Sequence, residues 1–169
     1  MRYFYKAVAL LFMFFLQSSL CGFIRIIGIA PNILLCAVIA GALTSAGPIE
    51  AAVYGLGAGA LFDVLWGRVF GVNAILMMYT CFAVYYIAAF IYRKTVISGV
   101  VITFLATLMY ELIFYAISFL IWGETNVVYF IFRVIIPGAA YTACFQFLLY
   151  PIMKKFEGKA FRRPIKNEV

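Results

Sequence analysis

Two acids, Asp63 and Glu111, lie deep inside apolar stretches of the chain, and one arginine, Arg133, occupies a comparable position. An ionisable side chain in such a setting is costly unless it is paired, hydrogen-bonded or protonated. Groups of this kind can move a proton, hold a charged ligand or lock helices together. Asp63 sits in the run Gly55-Leu-Gly-Ala-Gly-Ala-Leu-Phe-Asp-Val-Leu-Trp-Gly-Arg-Val-Phe-Gly-Val-Asn73. Within it Gly55, Gly59, Asp63 and Gly67 recur every four residues, which keeps them near one face of a helix. The acid therefore shares its face with small residues, where another helix can come close. One reading is a proton or ligand site, with Arg133 the nearest candidate cation and Arg68 able to reach back from its loop. The other is a packing role for Gly55, Gly59, Asp63, Gly67 and Gly71, against a partner helix or a neighbouring span. The glycine stripe favours packing, and a neighbouring span of the same chain slightly over a partner.

Other chemistry is short of parts. The chain has no histidine, which removes the commonest general base and metal ligand. Cys21, Cys36, Cys81 and Cys144 are too far apart for a Cys-x-x-Cys metal or redox pair and suit small packing roles. A serine–lysine pair is excluded on the reading that no lysine lies inside a span. The Gly-x-Gly-x-Gly run falls in an apolar helix, not between a strand and a soluble helix, so it is no nucleotide fingerprint. No enzyme, cofactor or metal is expected. The formal charge of +7 does not imply nucleic acid, because the basic residues sit at the ends of apolar runs and form no basic face.

The elements that must position these groups are membrane helices. Hydrophobic residues make up 67% of the chain and charged ones 11%, with a mean hydropathy of +1.10; a soluble domain is about half apolar and a quarter charged. The expected fold is all-α, a six-transmembrane-helix bundle over residues 1–153 with a basic tail at 154–169. The spans run over about 7–24, 30–46, 49–66, 72–92, 95–122 and 127–150, each near the ~20 residues a bilayer requires. The first resembles a signal peptide, and Ser18-Ser19-Leu20-Cys21 a lipoprotein cleavage site. Leu20 is a poor small residue and the apolar run continues past it, so the segment is expected to remain. Pro31 and Pro48 suit first helical turns, and Gly47 closes the second span. Pro137-Gly138 should kink the sixth.

Charge sets the expected orientation. With six spans, Arg2, Lys6, Arg93, Lys94, Lys154, Lys155, Lys159, Arg162, Arg163 and Lys166 fall on one side, and Arg25, Arg68 and Arg133 on the other. Both termini should therefore be cytoplasmic, with Arg93, Lys94, Lys154, Lys155, Arg162 and Arg163 serving topology and anionic-lipid contact. Asp63 then lies in the outer half of its span. Asn32 and Asn73 either cap helices or line an outer site, and capping is the simpler role. Glu50 and Glu124 fall at turns, where solvation or the helix dipole suffices. The groups available to an outward-opening pocket are Asn32, Asp63, Asn73, Glu111 and Arg133, with Tyr110 and Gln146.

Pro31-Asn-Ile-Leu-Leu35, then Gly55-x3-Gly59-Ala-Leu-Phe-Asp63-x-Leu65 and Gly71-Val-Asn73-Ala74, resemble in order and spacing the bacterial rod shape-determining protein MreD family. The motif resemblance covers about residues 31–74; the remainder is similar in hydropathy and span count. It implies a non-catalytic inner-membrane subunit of the cell-elongation machinery that supports lateral peptidoglycan synthesis. The implied partners are a single-span MreC-type protein, an MreB-type filament, a RodA-type glycosyltransferase and a class B penicillin-binding protein. The implied fold is similar to the substrate-binding subunits of energy-coupling-factor transporters. That keeps a second reading open, a substrate-capturing subunit of a vitamin-type importer, and a fainter third, a chaperone for lipid-linked precursors.

Overall fold

The computed structural model describes residues 2–20, 32–67, 69–90, 96–122 and 131–157. These residues form six α-helices and no strand. They are α1 (Arg2–Leu20), α2 (Ile33–Thr44), α3 (Pro48–Trp66), α4 (Val72–Phe90), α5 (Val96–Trp122) and α6 (Ile136–Glu157). One π turn, Ile131–Ile135, leads into α6. Pro137 has no N–H to offer the carbonyl four residues back. The wider turn lies immediately before it, where the sequence predicts a kink.

Among the described residues, three stretches are long and apolar enough to cross a membrane: Pro48–Trp66, Ile97–Phe119 and Ile131–Leu149. Lys6–Ser19, Ile33–Thr44 and Val72–Ala88 are apolar but shorter. Twelve residues of α2 make about 18 Å of helix, well short of a ~30 Å hydrocarbon core. Yet every residue of α2 is buried, because it is small or aliphatic on all sides and the other helices pack round it. A helix enclosed by others need not match the bilayer thickness itself.

The outward faces are apolar. α3 presents Ile49, Val53, Leu56, Val64 and Leu65, and α4 presents Ile75, Tyr79, Phe82 and Phe90. Such a surface suits hydrocarbon. It also changes what holds the bundle together. Burying a leucine is worth ~1.5–3 kcal/mol against water, but lipid tails are as apolar as leucine and supply no comparable drive. Close backbone approach and internal hydrogen bonds must do more of the holding here.

Close approach is most developed between α3 and α4, the tightest pair in the bundle. A Cβ at Gly55 would lie 2.5 Å from the Met77 carbonyl oxygen and 2.7 Å from Cys81 Sγ. One at Gly59 would lie 2.5 Å from Ala74 Cα and 2.7 Å from its nitrogen. The glycine stripe thus faces the next helix of its own chain. Gly57, on the exposed side, would meet nothing within 4 Å.

Candidate functional site

The α3–α4 corner is built around Asp63, which is 4% exposed. α4 starts at Val72, so its N-cap is Gly71, a residue with no side chain to satisfy the first N–H groups. Asp63 supplies that cap from the preceding helix. Its Oδ2 accepts from the backbone N–H of Gly71 at 2.9 Å and of Ala74 at 3.0 Å. Its Oδ1 accepts from Asn73 N at 3.3 Å and Asn73 Nδ2 at 2.7 Å. Both oxygens only accept, as a carboxylate requires, and they do so at the positive end of a helix dipole. The loop can deliver those N–H groups because Gly71 takes φ +100°, a left-handed conformation that favours glycine. Gly67 ends α3, its N–H donating to the Asp63 carbonyl at 3.0 Å.

Asn73 extends the network to a third helix. Its Oδ1 accepts from the Tyr110 hydroxyl of α5 at 2.5 Å. Asp63, Asn73 and Tyr110 are all buried, so α3, α4 and α5 are joined through one hydrogen-bonded chain. The sequence had offered arginines as partners for Asp63. The donors are instead uncharged N–H groups. Arg133 lies in the π turn with an exposed side chain and is not among them. Glu111 is half-buried on α5 and does not hydrogen-bond to Asp63 or Asn73. Arg68, Arg93, Lys94, Arg162 and Arg163 lie outside the described residues, as do the side chains of Lys154 and Lys155.

A second polar knot closes the opposite end of α3. Lys6 is 4% exposed, and its Nζ reaches Glu50 Oε1 at 2.9 Å, Ser45 Oγ at 3.1 Å and the Gly41 carbonyl at 3.4 Å. It also lies 5.8 Å from the centre of the Tyr54 ring. Glu50 Oε2 accepts from Ala46 N at 3.1 Å, which holds the α2–α3 turn. The sequence reading set Lys6 just before the first span, at about residue 7; here it is a buried residue of a helix. Lys6 lies in the second turn of α1 and ties it to α2 and α3.

A third cluster surrounds the start of α2. Asn32 Oδ1 accepts from Leu35 N at 3.0 Å, an N-cap. Gln17 of α1 accepts from Ile33 N at 2.7 Å and Leu34 N at 3.2 Å. Asn32 N donates to Thr142 Oγ1 of α6 at 3.1 Å. Cys36 Sγ donates to Gln146 Oε1 at 2.8 Å. The free thiols of Cys36 and Cys81 are buried packing groups, whereas Cys144 is exposed.

Each of the three clusters completes a helix end or ties one helix to another. The family model for rod shape-determining protein MreD matches residues 1–159 of the 169-residue chain. The chain belongs to the MreD family. No curated protein and no solved structure matches it at a significant level. Membership makes this a rod-shape-determining membrane protein, and apolar outward faces on helical elements fit that setting.

Sequence reasoning missed two of the groups that build this MreD bundle. Lys6 was read as a topology residue only, and Gln17 was not singled out. A signal existed for both. Glu50 and Lys6 begin helices at the same end of the expected bundle, at equal depth and with opposite charge. Gln17 is the single amide in an apolar helix, near the end where α2 exposes its first N–H groups.

Proposed function

We propose that this MreD protein is a non-catalytic scaffold subunit of the rod complex. It spans the bacterial inner membrane six times with both termini inside and binds an MreC-type single-span protein through helix faces and rims. The observation that carries the reading is the use of Asp63. Its carboxylate is fully engaged in capping α4 and joining α3, α4 and α5. A rigid α3–α4 corner serves a subunit whose task is to present fixed surfaces. A transport group would instead change partners during its cycle. Short connections between the described helices, such as residues 45–47 and 67–71, leave little aqueous surface for docking there.

The test is purification of the full chain with an MreC-type protein in mild detergent. A stable complex is expected, and it should be weakened by bulky substitutions on one outward helix face that leave the MreD subunit folded. Two folded proteins that fail to associate would refute the scaffold reading. A small molecule surviving purification with the chain would redirect the function to substrate capture.

A further inference from the structure

Among the described residues most buried polar side chains have an identified task, but Gln146 and Thr107 each keep a polar atom without one. Gln146 of α6 is 0% exposed; its Oε1 accepts from Cys36, while its Nε2 finds no hydrogen-bond partner among the described residues. Thr107 of α5 is 1% exposed, and its Oγ1 is likewise without a partner among them. Threonine in a helix commonly donates to the carbonyl four residues back, as Thr103 and Thr142 do here at 2.8 and 2.9 Å. Thr107 has no such bond.

Thr107 lies on α5 and Gln146 on α6. α5 and α6 pack on each other, and both pack on α2, which brings Cys36. An amide nitrogen offers two donors, and a hydroxyl offers one donor and an acceptor. An orphaned buried polar group costs about 1–3 kcal/mol, and apolar isosteres would remove that cost.

We propose that the α2–α5–α6 junction is an internal binding site for water, held by Gln146 Nε2 and Thr107 Oγ1. A small neutral molecule that both accepts and donates is the chemistry these groups fit, and a buried water typically makes two to four such bonds. Among the described residues no cationic side chain hydrogen-bonds to Gln146 or Thr107, as an anion's site would call for, and an apolar occupant would leave the donors unmet. The site is separate from the Asp63 corner and does not depend on the scaffold reading.

Two measurements test it. The first is hydroxyl-radical footprinting of the full chain in nanodiscs, with radicals generated by X-rays from ¹⁸O-labelled water. Cys36 and Cys81 are both 0% exposed, so they form an internal control. Cys36, bonded to Gln146, should acquire ¹⁸O several-fold faster than Cys81, whose thiol donates to the Val38 carbonyl at 3.7 Å. Equal, low labelling of the two would overturn the proposal. The second is thermal unfolding of Gln146→Leu, Thr107→Val and the double variant. Each single change should lower the midpoint by stranding the other water-binding group, and the double should lose less than the sum. Neutral or raised midpoints for the single variants would mean that nothing binds there.

Discussion

Replacing Asp63 with asparagine changes no more than one oxygen for an NH2 group, yet it should disable the α3–α4 corner. Oδ1 accepts two hydrogen bonds and Oδ2 accepts two more. An asparagine can keep one pair. Whichever way its amide is turned, the other pair becomes donor against donor. Hydrogen bonds to a charged group are worth about 1.5–3 kcal/mol each, so two would give roughly 3–6 kcal/mol. The first turn of α4 can relax and recover part of that, leaving an expected loss of about 2–4 kcal/mol. Asp63→Ala should cost about 3–5 kcal/mol, comparable to breaking a buried ionic contact. Against a total stability on the order of 5–15 kcal/mol, either is severe. The assay is equilibrium unfolding in bicelles by steric trapping. A double-mutant cycle identifies the partner: Asp63→Ala with Asn73→Ala should show coupling of about 1–2 kcal/mol. Asp63→Ala with Arg133→Gln should add within ~0.5 kcal/mol. An Asp63→Asn protein within ~0.5 kcal/mol of the original, or strong coupling to Arg133, would refute the capping account.

Four further outcomes follow from the same geometry. Gly59→Ala should sharply reduce folded protein by fluorescence-detected size exclusion, since its Cβ would run into Ala74 backbone; Gly57→Ala meets open space and should be neutral or stabilising by up to ~1 kcal/mol. Tyr110→Phe removes the donor to Asn73 and should cost about 1–2 kcal/mol in the unfolding assay. Gly71→Ala should cost about 1–2 kcal/mol through its left-handed φ alone, nothing lying within 4 Å of the added methyl. Lys6→Met should cost near the low end of about 3–5 kcal/mol, because Glu50 keeps 13% exposure. Lys6→Met combined with Glu50→Gln should recover most of that loss when thermal midpoints are compared.

What could be read in advance depended on whether a residue's surroundings were local. The glycine stripe was legible because a four-residue spacing defines a helix face by itself, and Asp63 stood out because an acid in that stripe needs a partner. Its donors were not legible. Three are backbone N–H groups of 71, 73 and 74, for which sequence carries no letter, and the fourth is the side-chain amide of Asn73. Arginines were the visible charged partners, whereas the one side-chain donor is Asn73, just past the loop that Asp63 was expected to hold. Helix existence was readable from hydropathy, but the length of α2 was not. Hydropathy over residues 30–46 continues past Thr44, whereas Ser45 and the Lys6 contact to Gly41 end the helix there. Lys6 shows the same limit from the other side. A lysine near a terminus usually reads as topology, and only tertiary packing buries it.

The polar groups of this bundle follow a common logic once helix ends are considered. In a membrane every backbone N–H and C=O needs a partner from within the protein. A helix enclosed by others has buried ends, so its own flanking residues and its neighbours must cap it. α2 draws on Gln17 and Asn32 at its start. At its other end Thr44, Ser45 and Lys6 all donate to the Gly41 carbonyl. α4 draws on Asp63. Polar residues that would suggest a site on a soluble protein are here the means of ending helices inside an apolar bundle. That accounting gives weight to Gln146 Nε2 and Thr107 Oγ1. They lie inside helices rather than at their ends and complete no cap. A polar group kept at such a place without a protein partner is where an occupant should be sought.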